Sequence, residues 1–309
     1  MTTNRKINWG IGVGAVLSAA AVLSLAGCGP GNSGSGSSSG GKKVAIANIG
    51  SDTMVNLAIA WADAYRNVDP TVSVEVNGGG SGQGVAALIN GSCDIANCSR
   101  AFEEKEIVDF KGKHPGKEPK EFMVGYDALS VFVHKDNPMT EISIDELQQL
   151  YMKDGKLSKW SELGVNNIPG AKGDEVILVS RQNNSGTYHY FREAIVGKKN
   201  EMRNGTVDMN GSKDVVDLIS KTPNAIGYSG MGYATPAVKH LKVSKKKGET
   251  AVEPSIATTL DKSYPIARPM FMYTSGDPES HIKSYIAWIM SDPGQKIVAE
   301  TGYVPLPKK

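Results

Sequence analysis

The sequence predicts an α/β fold in which parallel strands alternate with helices. Short apolar runs alternate with segments of helical periodicity along the chain, starting at Val44. Glycine and hydroxyl residues follow several of the predicted strands, at the ends where open α/β sheets bind ligands. The chain has 309 residues, which exceeds the roughly 250–300 at which a single core stops growing. Two domains are therefore expected.

The N-terminal 41 residues carry signals for export and anchoring. Arg5 and Lys6 precede an apolar run that is too short to span a bilayer comfortably and ends in small residues. Leu25-Ala26-Gly27-Cys28 then resembles a bacterial lipobox. This likeness makes residues 1–27 a lipoprotein signal peptide and Cys28 the lipid-carrying first residue of the mature chain. The Gly/Ser-rich stretch 28–41 becomes a flexible tether. A plain signal peptide and a single membrane helix are the alternatives.

The charge of the mature chain gives no reason to expect a nucleic-acid partner. The 34 basic residues less Arg5 and Lys6 leave 32, which balance the 32 acidic residues. Five lysines cluster in 239–247, where the pattern favours a solvated loop. The histidines have no recognisable ligand spacing, so no metal or cofactor is predicted.

Cys93 and Cys98 are the cysteines that remain once Cys28 is set aside. In extended chain their Cα atoms would lie roughly 16 Å apart, beyond the limit of about 7 Å for a disulfide. A bond between them requires the chain from Asp94 to Asn97 to turn back, and the sequence leaves that question open.

The stretch Arg181-Gln-Asn-Asn-Ser-Gly-Thr187 carries the strongest binding signal. It follows a short apolar run of strand type and precedes aromatic and aliphatic residues at helical spacing. Ser185 is the predicted N-cap, so the amides of Gly186 and Thr187 point out of the helix. These N–H groups, the hydroxyls and the guanidinium of Arg181 would form an anion cradle. An ordinary capped helix is the alternative.

Three further turns of this kind occur at predicted strand ends. Asn77-Gly-Gly-Gly-Ser81-Gly-Gln-Gly84 joins a strand to a helix and places Ser81 at the predicted cap position. Gly50-Ser-Asp-Thr-Met54 and residues 98–100 follow two other strands. Because the carboxyl ends of parallel strands meet at one edge of a sheet, a single site assembled from separate parts of the chain is expected.

The remaining elements are predicted from periodicity and capping signals. Ser143-Ile-Asp-Glu146 is a capping box that opens the helix after it. Further strands are predicted at 44–49, 71–76, 93–97, 122–125, 128–134, 175–179, 225–230 and 268–273, and helices at 55–66, 85–89, 103–111, 145–152, 188–196, 214–221, 279–290 and 294–300.

These stretches together resemble the phosphate-binding proteins that serve phosphate ABC transporters. The resemblance implies a type II periplasmic-binding-protein fold, α/β with two lobes joined by two crossing strands, the first near Asp127 to His134 and the return between Tyr228 and Met272. Lobe 1 would comprise 42–128 plus 232–309, and lobe 2 would comprise 129–231. The matching pieces, in order, are Gly50-Ser-Asp-Thr53, Gly78 to Gly84, Asp94 to Arg100, Arg181 with Ser185-Gly-Thr187, Ala225-Ile-Gly-Tyr228 and Gly302 to Leu306.

The resemblance also implies a set of phosphate ligands and one departure from the family pattern. Where well-known members have an aspartate that accepts the proton of hydrogen phosphate, this chain has Arg100. Asp127 is the favoured replacement, with Asp52 as the alternative. Arg100 either faces the anion or pairs with Glu103 or Glu104. The implied ligands are Ser51, Thr53, the backbone near Met54, Ser81, Arg181, Ser185, Gly186 and Thr187.

The sequence therefore predicts a monomeric, non-enzymatic receptor. It would be lipid-anchored at the outer face of the cytoplasmic membrane or in the periplasm, capture inorganic phosphate and deliver it to an ABC permease. The alternatives are a receptor for another oxyanion, a phosphate sensor or adhesin, and a secreted phosphatase. A phosphatase would need a metal cluster or an activated nucleophile, and the spacing of residues indicates neither.

Overall fold

The computed structural model describes residues 43–308, and the predicted signal peptide, Cys28 and the tether lie outside them. This part of the chain contains no helix that is long and apolar enough to cross a membrane. Its strands are β1 (Val44–Gly50), β2 (Val72–Asn77), β3 (Ile95–Cys98), β4 (Pro119–His134), β5 (Glu141–Ser143), β6 (Ile177–Arg181), β7 (Val207–Met209), β8 (Ala225–Gly230), β9 (Val238–His240), β10 (Lys242–Ser244) and β11 (Ala267–Ser275). Its helices are α1 (Val55–Tyr65), α2 (Ser81–Ile89), α3 (Glu104–Lys113), α4 (Ile144–Tyr151), α5 (Gly186–Phe191), α6 (Ser212–Ile219), α7 (Ile256–Leu260), α8 (Ser280–Ile289) and α9 (Asp292–Glu300).

Most strands of the described residues join one sheet, in the order β2-β1-β3-β11-β4-β8-β6-β7, with β9 also paired to β4. The first half of this sheet is built on parallel β1, β2 and β3, and the second half on parallel β6, β7 and β8. β4 and β11 are antiparallel to their neighbours and run between the halves. The predicted two-lobed α/β fold is confirmed.

β4 is the strand that passes from one half to the other. Its residues 119–128 pair with β11, and from Leu129 to Val133 it pairs with β8. The change of partner falls between Ala128 and Leu129, inside the stretch where the first crossing was predicted. β11 begins at Ala267, within the stretch predicted for the return.

Helices cover both faces of each half of the sheet. In the first half α1, α8 and α9 pack on one face, and α2 and α3 on the other, with Trp61 and Phe110 fully buried in the respective cores. In the second half α6 covers one face and α4 the other. Leu241, Val243 and Tyr264 pack in the core of the second half, although the sequence assigned 232–309 to lobe 1.

Several local predictions can be compared directly with the structure. Ser143 and Glu146 form the predicted capping box at the start of α4. Cys93 and Cys98 are free thiols, because the intervening chain enters β3 as an extended strand. Burial raises the pKa of the Cys93 thiol to about 12, so this thiol stays protonated at neutral pH.

The predicted cap at Ser81 is wrong. Gly80 is the N-cap of α2, and Ser81 is the first helical residue. Gly80 has a φ of +97°, a conformation that a glycine adopts without strain, and its amide donates to the carbonyl of Gly50. The Ser81 hydroxyl is therefore free to face the turn that follows β3.

Candidate anion-binding site

Hydroxyl groups from four separate turns meet where the two halves of the sheet face each other. Ser51 Oγ donates to Ser99 Oγ at 2.9 Å, and Ser99 Oγ lies 3.3 Å from Ser81 Oγ. Thr53 and Thr187, from opposite halves, join their Oγ1 atoms at 2.7 Å. All of these side chains are at most 2% exposed. We call Ser51, Thr53, Ser81, Ser99 and Thr187 the hydroxyl cluster.

The start of α5 closes one side of this cluster. Ser185 is its N-cap, as predicted, and its Oγ accepts from the amides of Thr187 and Tyr188 at 3.2 and 3.4 Å. A Cβ atom added at Gly186 would lie 2.3 Å from Ser81 Oγ and 2.6 Å from Ser99 Oγ. A glycine is therefore required here, because any side chain would enter the hydroxyl cluster.

Arg181, at the end of β6, is buried and hydrogen-bonded by both ends of its guanidinium. Nη1 donates to Ser212 Oγ at 2.9 Å, and Nη2 donates to the carbonyl of Asn210 at 2.9 Å. Nη2 also contacts Asp52 Oδ2 at 3.1 Å, across the interface between the halves. The other carboxylate oxygen of Asp52 accepts from the Gly79 amide at 2.9 Å. Arg181 thus links β6 to two turns of the first half.

A second buried arginine, Arg268, contacts the hydroxyl cluster from β11, one of the two strands that run between the halves. Its Nε and Nη2 donate to Asp127 Oδ2 at 3.1 and 2.8 Å. Nη2 also donates to Thr187 Oγ1 at 2.9 Å and Thr53 Oγ1 at 3.2 Å, and Nη1 to the carbonyl of Ser99 at 3.1 Å. Asp127 is fully buried, and its other oxygen accepts from the Met231 amide. One guanidinium therefore touches both halves.

Arg100 and Met54, both predicted to contact an anion, are engaged elsewhere. The guanidinium of Arg100 forms two hydrogen bonds to the carboxylate of Glu106, at 2.7 and 2.8 Å, and one to the carbonyl of Ala101. Its acidic partner is Glu106 rather than Glu103 or Glu104. The amide of Met54 donates to the carbonyl of Ser51 at 3.0 Å.

Further contacts join the two halves at the rim of the interface. The Gly82 amide donates to the carbonyl of Asn184 at 3.0 Å, and Asn184 Nδ2 donates to the carbonyl of Gly79 at 3.0 Å. A Cβ atom added at Gly80 would lie 2.8 Å from the Asn184 carbonyl oxygen. The turn from Asn77 to Gly84, which we call the glycine turn, is therefore shaped to receive Asn184 from the other half.

The charges of the site are balanced in pairs. Arg181 is paired with Asp52, and Arg268 with Asp127. Burial lowers the pKa of Arg181, while Asp52 and Tyr228 oppose that shift. Because each guanidinium already has a carboxylate partner, the strongest uncommitted groups for an added anion are hydroxyls, amides and the remaining guanidinium hydrogens. Such fixed donors suit an oxyanion in a site shielded from water.

Comparison with known proteins assigns the chain to a family. A model of the PBP superfamily domain matches residues 33–293. The phosphate-binding protein PstS of Pseudomonas aeruginosa is 32% identical over 85% of this chain and 84% of that protein. The chain belongs to the PstS family of phosphate-binding proteins. PstS of Bacillus subtilis is 29% identical over 94% of this chain and 92% of its own.

Solved structures agree with membership of the PstS family. A Clostridium perfringens protein, described as a phosphate ABC transporter substrate-binding protein and solved with bound phosphate, is 28% identical. It superposes with a TM-score of 0.75 over 85% of this chain and all of its own. A Vibrio cholerae phosphate transport receptor, 24% identical, shares the fold with a TM-score of 0.65. PstS-family proteins are binding proteins and not enzymes, which confirms the prediction that this chain is not an enzyme.

Two residues of this candidate site, Ser99 and Arg268, were not predicted from the sequence. Ser99 lies within the stretch Asp94 to Arg100 that carries the resemblance, but the sequence did not predict it as a ligand. Arg268 precedes Pro269 at the start of an apolar strand, and nothing local indicates that its side chain turns inward. A signal was present at long range. Arg268 and Asp127 are residues of opposite charge within the two apolar strands that were predicted to cross between the lobes.

Proposed function

We propose that this chain is a solute-binding protein that captures inorganic phosphate between its two lobes. The observation that carries the proposal is the hydroxyl cluster, which is contributed by both halves and contacted by the buried Arg268. Micromolar affinity corresponds to about 8 kcal/mol, and charge-assisted hydrogen bonds contribute roughly 1.5–3 kcal/mol each. A few such contacts in a site closed to water are enough.

The proposed ligands come from the turns after β1, β2 and β6 and from the end of β6 itself. We leave out Met54 and Arg100, because the Met54 amide bonds within its own turn and the Arg100 guanidinium bonds to Ala101 and Glu106, away from the hydroxyl cluster. Ser51 and Ser99 are proposed to orient Ser81, which they contact directly or through one another. The groups proposed to bind phosphate directly are Thr53, Ser81, Arg181, Ser185, Gly186 and Thr187.

The lobes are proposed to meet at the hinge formed by β4 and β11. On the packing of the core, lobe 1 comprises 43–128 and 267–308, and lobe 2 comprises 129–266. The segment 238–266 is given to lobe 2 because Leu241, Val243 and Tyr264 pack there. Binding would stabilise the closed arrangement, in which Thr53 and Thr187 touch.

Asp52 is our proposed acceptor for the proton of hydrogen phosphate. The sequence favoured Asp127, but that carboxylate accepts three hydrogen bonds, from Arg268 and Met231, and is fully buried. Asp52 accepts two, so more of its lone pairs are free. An acceptor of this kind would repel sulfate, which carries no proton near neutral pH.

Calorimetric titration of the purified protein with phosphate, sulfate and arsenate tests both proposals. We expect heat with phosphate, and a much weaker response to sulfate. Asp52→Asn is expected to reduce the ratio of phosphate to sulfate affinity by about tenfold or more, since an amide can donate to sulfate. Asp127→Asn is the matched control and should change the ratio less. The absence of heat with phosphate would reject the proposed function.

Lipid anchoring and delivery to a permease are further parts of the proposal. They rest on the lipobox-like Leu25-Ala26-Gly27-Cys28 and on relatives that are named for phosphate ABC transport. Mass spectrometry of the membrane-extracted protein should find a lipid on Cys28, and Cys28→Ser should release the protein into the soluble fraction. Cells that lack the protein should lose high-affinity phosphate uptake and regain it on complementation. A membrane-bound, unmodified Cys28→Ser variant would contradict the anchor.

A further inference from the structure

A histidine–glutamate contact joins the two lobes close to the hydroxyl cluster. His189 lies on α5, two residues after Thr187, and Glu103 is the N-cap of α3 in the first half. His189 Nδ1 lies 3.3 Å from Glu103 Oε1, and the two side chains are 26% and 53% exposed. Both residues line a cleft of about 580 Å³ whose walls come from both halves. The contact therefore belongs to the closed arrangement and can exchange protons with solvent.

Both ring nitrogens of His189 face oxygen atoms that accept hydrogen bonds and have none to donate. Nε2 lies 2.7 Å from the carbonyl oxygen of Asn183, in the turn before α5, and Nδ1 faces the Glu103 carboxylate. A neutral imidazole has one N–H group, so its other nitrogen would present a lone pair to one of these oxygens. The imidazolium has two N–H groups and the charge opposite to that of the carboxylate. The closed arrangement is therefore complementary to the protonated ring.

We propose that His189 and Glu103 form a proton-dependent latch between the lobes, so that closure takes up a proton at His189. This inference rests on the proposed function, because phosphate binding would drive closure, and it adds regulation of the site by pH. When the lobes separate, His189 loses Glu103 and keeps the Asn183 carbonyl, which belongs to its own lobe. A histidine that gains an anionic partner contributes below its ordinary pKa of about 6.5. The contribution of the latch is lost as the pH rises above that range.

The other charged groups around the cleft are balanced by neighbours of opposite charge. They are Arg100 with Glu106, Arg268 with Asp127, Glu193 with Lys198, and the adjacent Glu104 and Lys105. Within the part of the chain that the structure describes, Glu103 is the one acid within ion-pair distance of the His189 ring. Removing either His189 or Glu103 therefore removes the latch and leaves the other pairs in place.

The test measures phosphate affinity at about pH 5.5 and about pH 8, on either side of the ordinary titration of histidine. The variants are His189→Gln and Glu103→Gln. The amide of glutamine can still donate to the Asn183 carbonyl, but it has no charge and does not titrate. Because free phosphate titrates equally in every experiment, the ratio of wild-type to variant affinity at each pH cancels its contribution. The matched control is His281→Gln, which removes a histidine–glutamate contact of 3.7 Å that lies within the first half.

At about pH 5.5 we expect the wild-type protein to bind phosphate about two- to fivefold more tightly than either variant, the range for an exposed ion pair. At about pH 8 the three proteins should bind alike, and His281→Gln should match the wild type at both values. Calorimetry in two buffers of different ionisation enthalpy should show that the wild type takes up a fraction of a proton more on binding than His189→Gln. A wild-type to His189→Gln affinity ratio that is the same at both pH values would overturn the latch alone. No binding by the wild-type protein would overturn the proposed function and this inference with it.

Discussion

The two buried arginine–aspartate pairs occupy different places: Arg181 pairs with Asp52, in the turn that carries Ser51 and Thr53, whereas Arg268 pairs with Asp127 and contacts Thr53 and Thr187. Both arginines are 1% exposed. The Arg181–Asp52 pair spans the interface between the halves, and the Asp52 side chain keeps 18% of its surface exposed. The Arg268–Asp127 pair joins neighbouring hinge strands, and its carboxylate is fully buried. The first pair must break when the lobes separate, whereas the second pair can persist in both states.

The comparison separates closure from preorganisation. A contact that exists only in the closed state contributes to the affinity for whatever closes the lobes. A contact within the hinge is part of the folded chain and fixes the orientation of groups before a ligand arrives. We therefore expect changes at the hinge pair to affect mainly stability, and changes at the interface pair to affect mainly affinity.

The largest effect is expected when the hinge pair is broken on one side. Arg268→Met leaves the Asp127 carboxylate buried without its partner, and we expect it to lower the free energy of unfolding by about 3–5 kcal/mol. Chemical denaturation without phosphate measures this loss. Arg181→Met is the comparison, and it should cost less than about 2 kcal/mol because Asp52 can regain water. Similar losses for the two variants would mean that the pairs do not differ as argued.

Phosphate affinity should depend more on the interface pair than on the hinge pair, which is the opposite of the order expected for stability. Arg181→Met removes a charge-assisted donor and the bond to Asp52, and we expect phosphate affinity to fall about 10- to 100-fold, corresponding to about 1.5–3 kcal/mol. Calorimetry at one fixed pH measures the change. Arg66→Met, which removes a solvent-exposed pair with Asp63, serves as the control and should bind like the wild type. Unchanged phosphate affinity in Arg181→Met would show that the phosphate site does not include the end of β6.

The sequence singled out both members of the interface pair, but only Asp127 of the hinge pair. Arg181 and Ser185 lie four residues apart in a motif whose local chemistry already indicates an anion site. Arg268 and Asp127 are 141 residues apart and meet only through strand pairing. Local patterns carry information on caps and turns, but they do not give the register between distant strands.

The glycine turn illustrates how a correct motif can carry a wrong detail. The turn was placed at a strand end in the site, but Ser81 was given the role of a cap. Three adjacent glycines leave the cap position open within the motif, and the structure assigns it to Gly80, whose positive φ only a glycine adopts readily. Gly80 and Gly82 also leave room for Asn184 of the other lobe. No local sequence pattern predicts this contact.

Asn184 therefore offers a smaller test of the closure side. Asn184→Ala removes the bond from Nδ2 to the Gly79 carbonyl and keeps the backbone bond from Gly82. We expect phosphate to dissociate about two- to fivefold faster, since an exposed hydrogen bond contributes about 0.5–1 kcal/mol. Stopped-flow measurement of phosphate release tests this, with unfolding free energy unchanged. Asn183→Ala, at the adjacent exposed residue, is the control. A release rate unaffected by Asn184→Ala would remove this contact from the closed-state contribution.

The smallest effect is expected at a third pair, Arg100–Glu106, which lies within the first half alone. Burial raises the pKa of Glu106, but the hydrogen bonds from Arg100 and from the Glu103 amide outweigh it and hold the pKa below its ordinary value of 4.5. A carboxylate with a lowered folded-state pKa adds stability above its unfolded pKa and loses that contribution as the pH falls through the folded value. The stability difference between the wild type and Glu106→Gln should thus be about 1 kcal/mol or less near neutral pH. It should shrink as the pH falls below about 4.5, as urea titrations at several pH values can measure.

Phosphate affinity should not change, because this pair neither spans the interface nor orients a site hydroxyl. A loss of phosphate affinity in Glu106→Gln would indicate that Arg100 belongs to the binding site. The Arg100–Glu106 pair could then not serve as a control for the other two pairs.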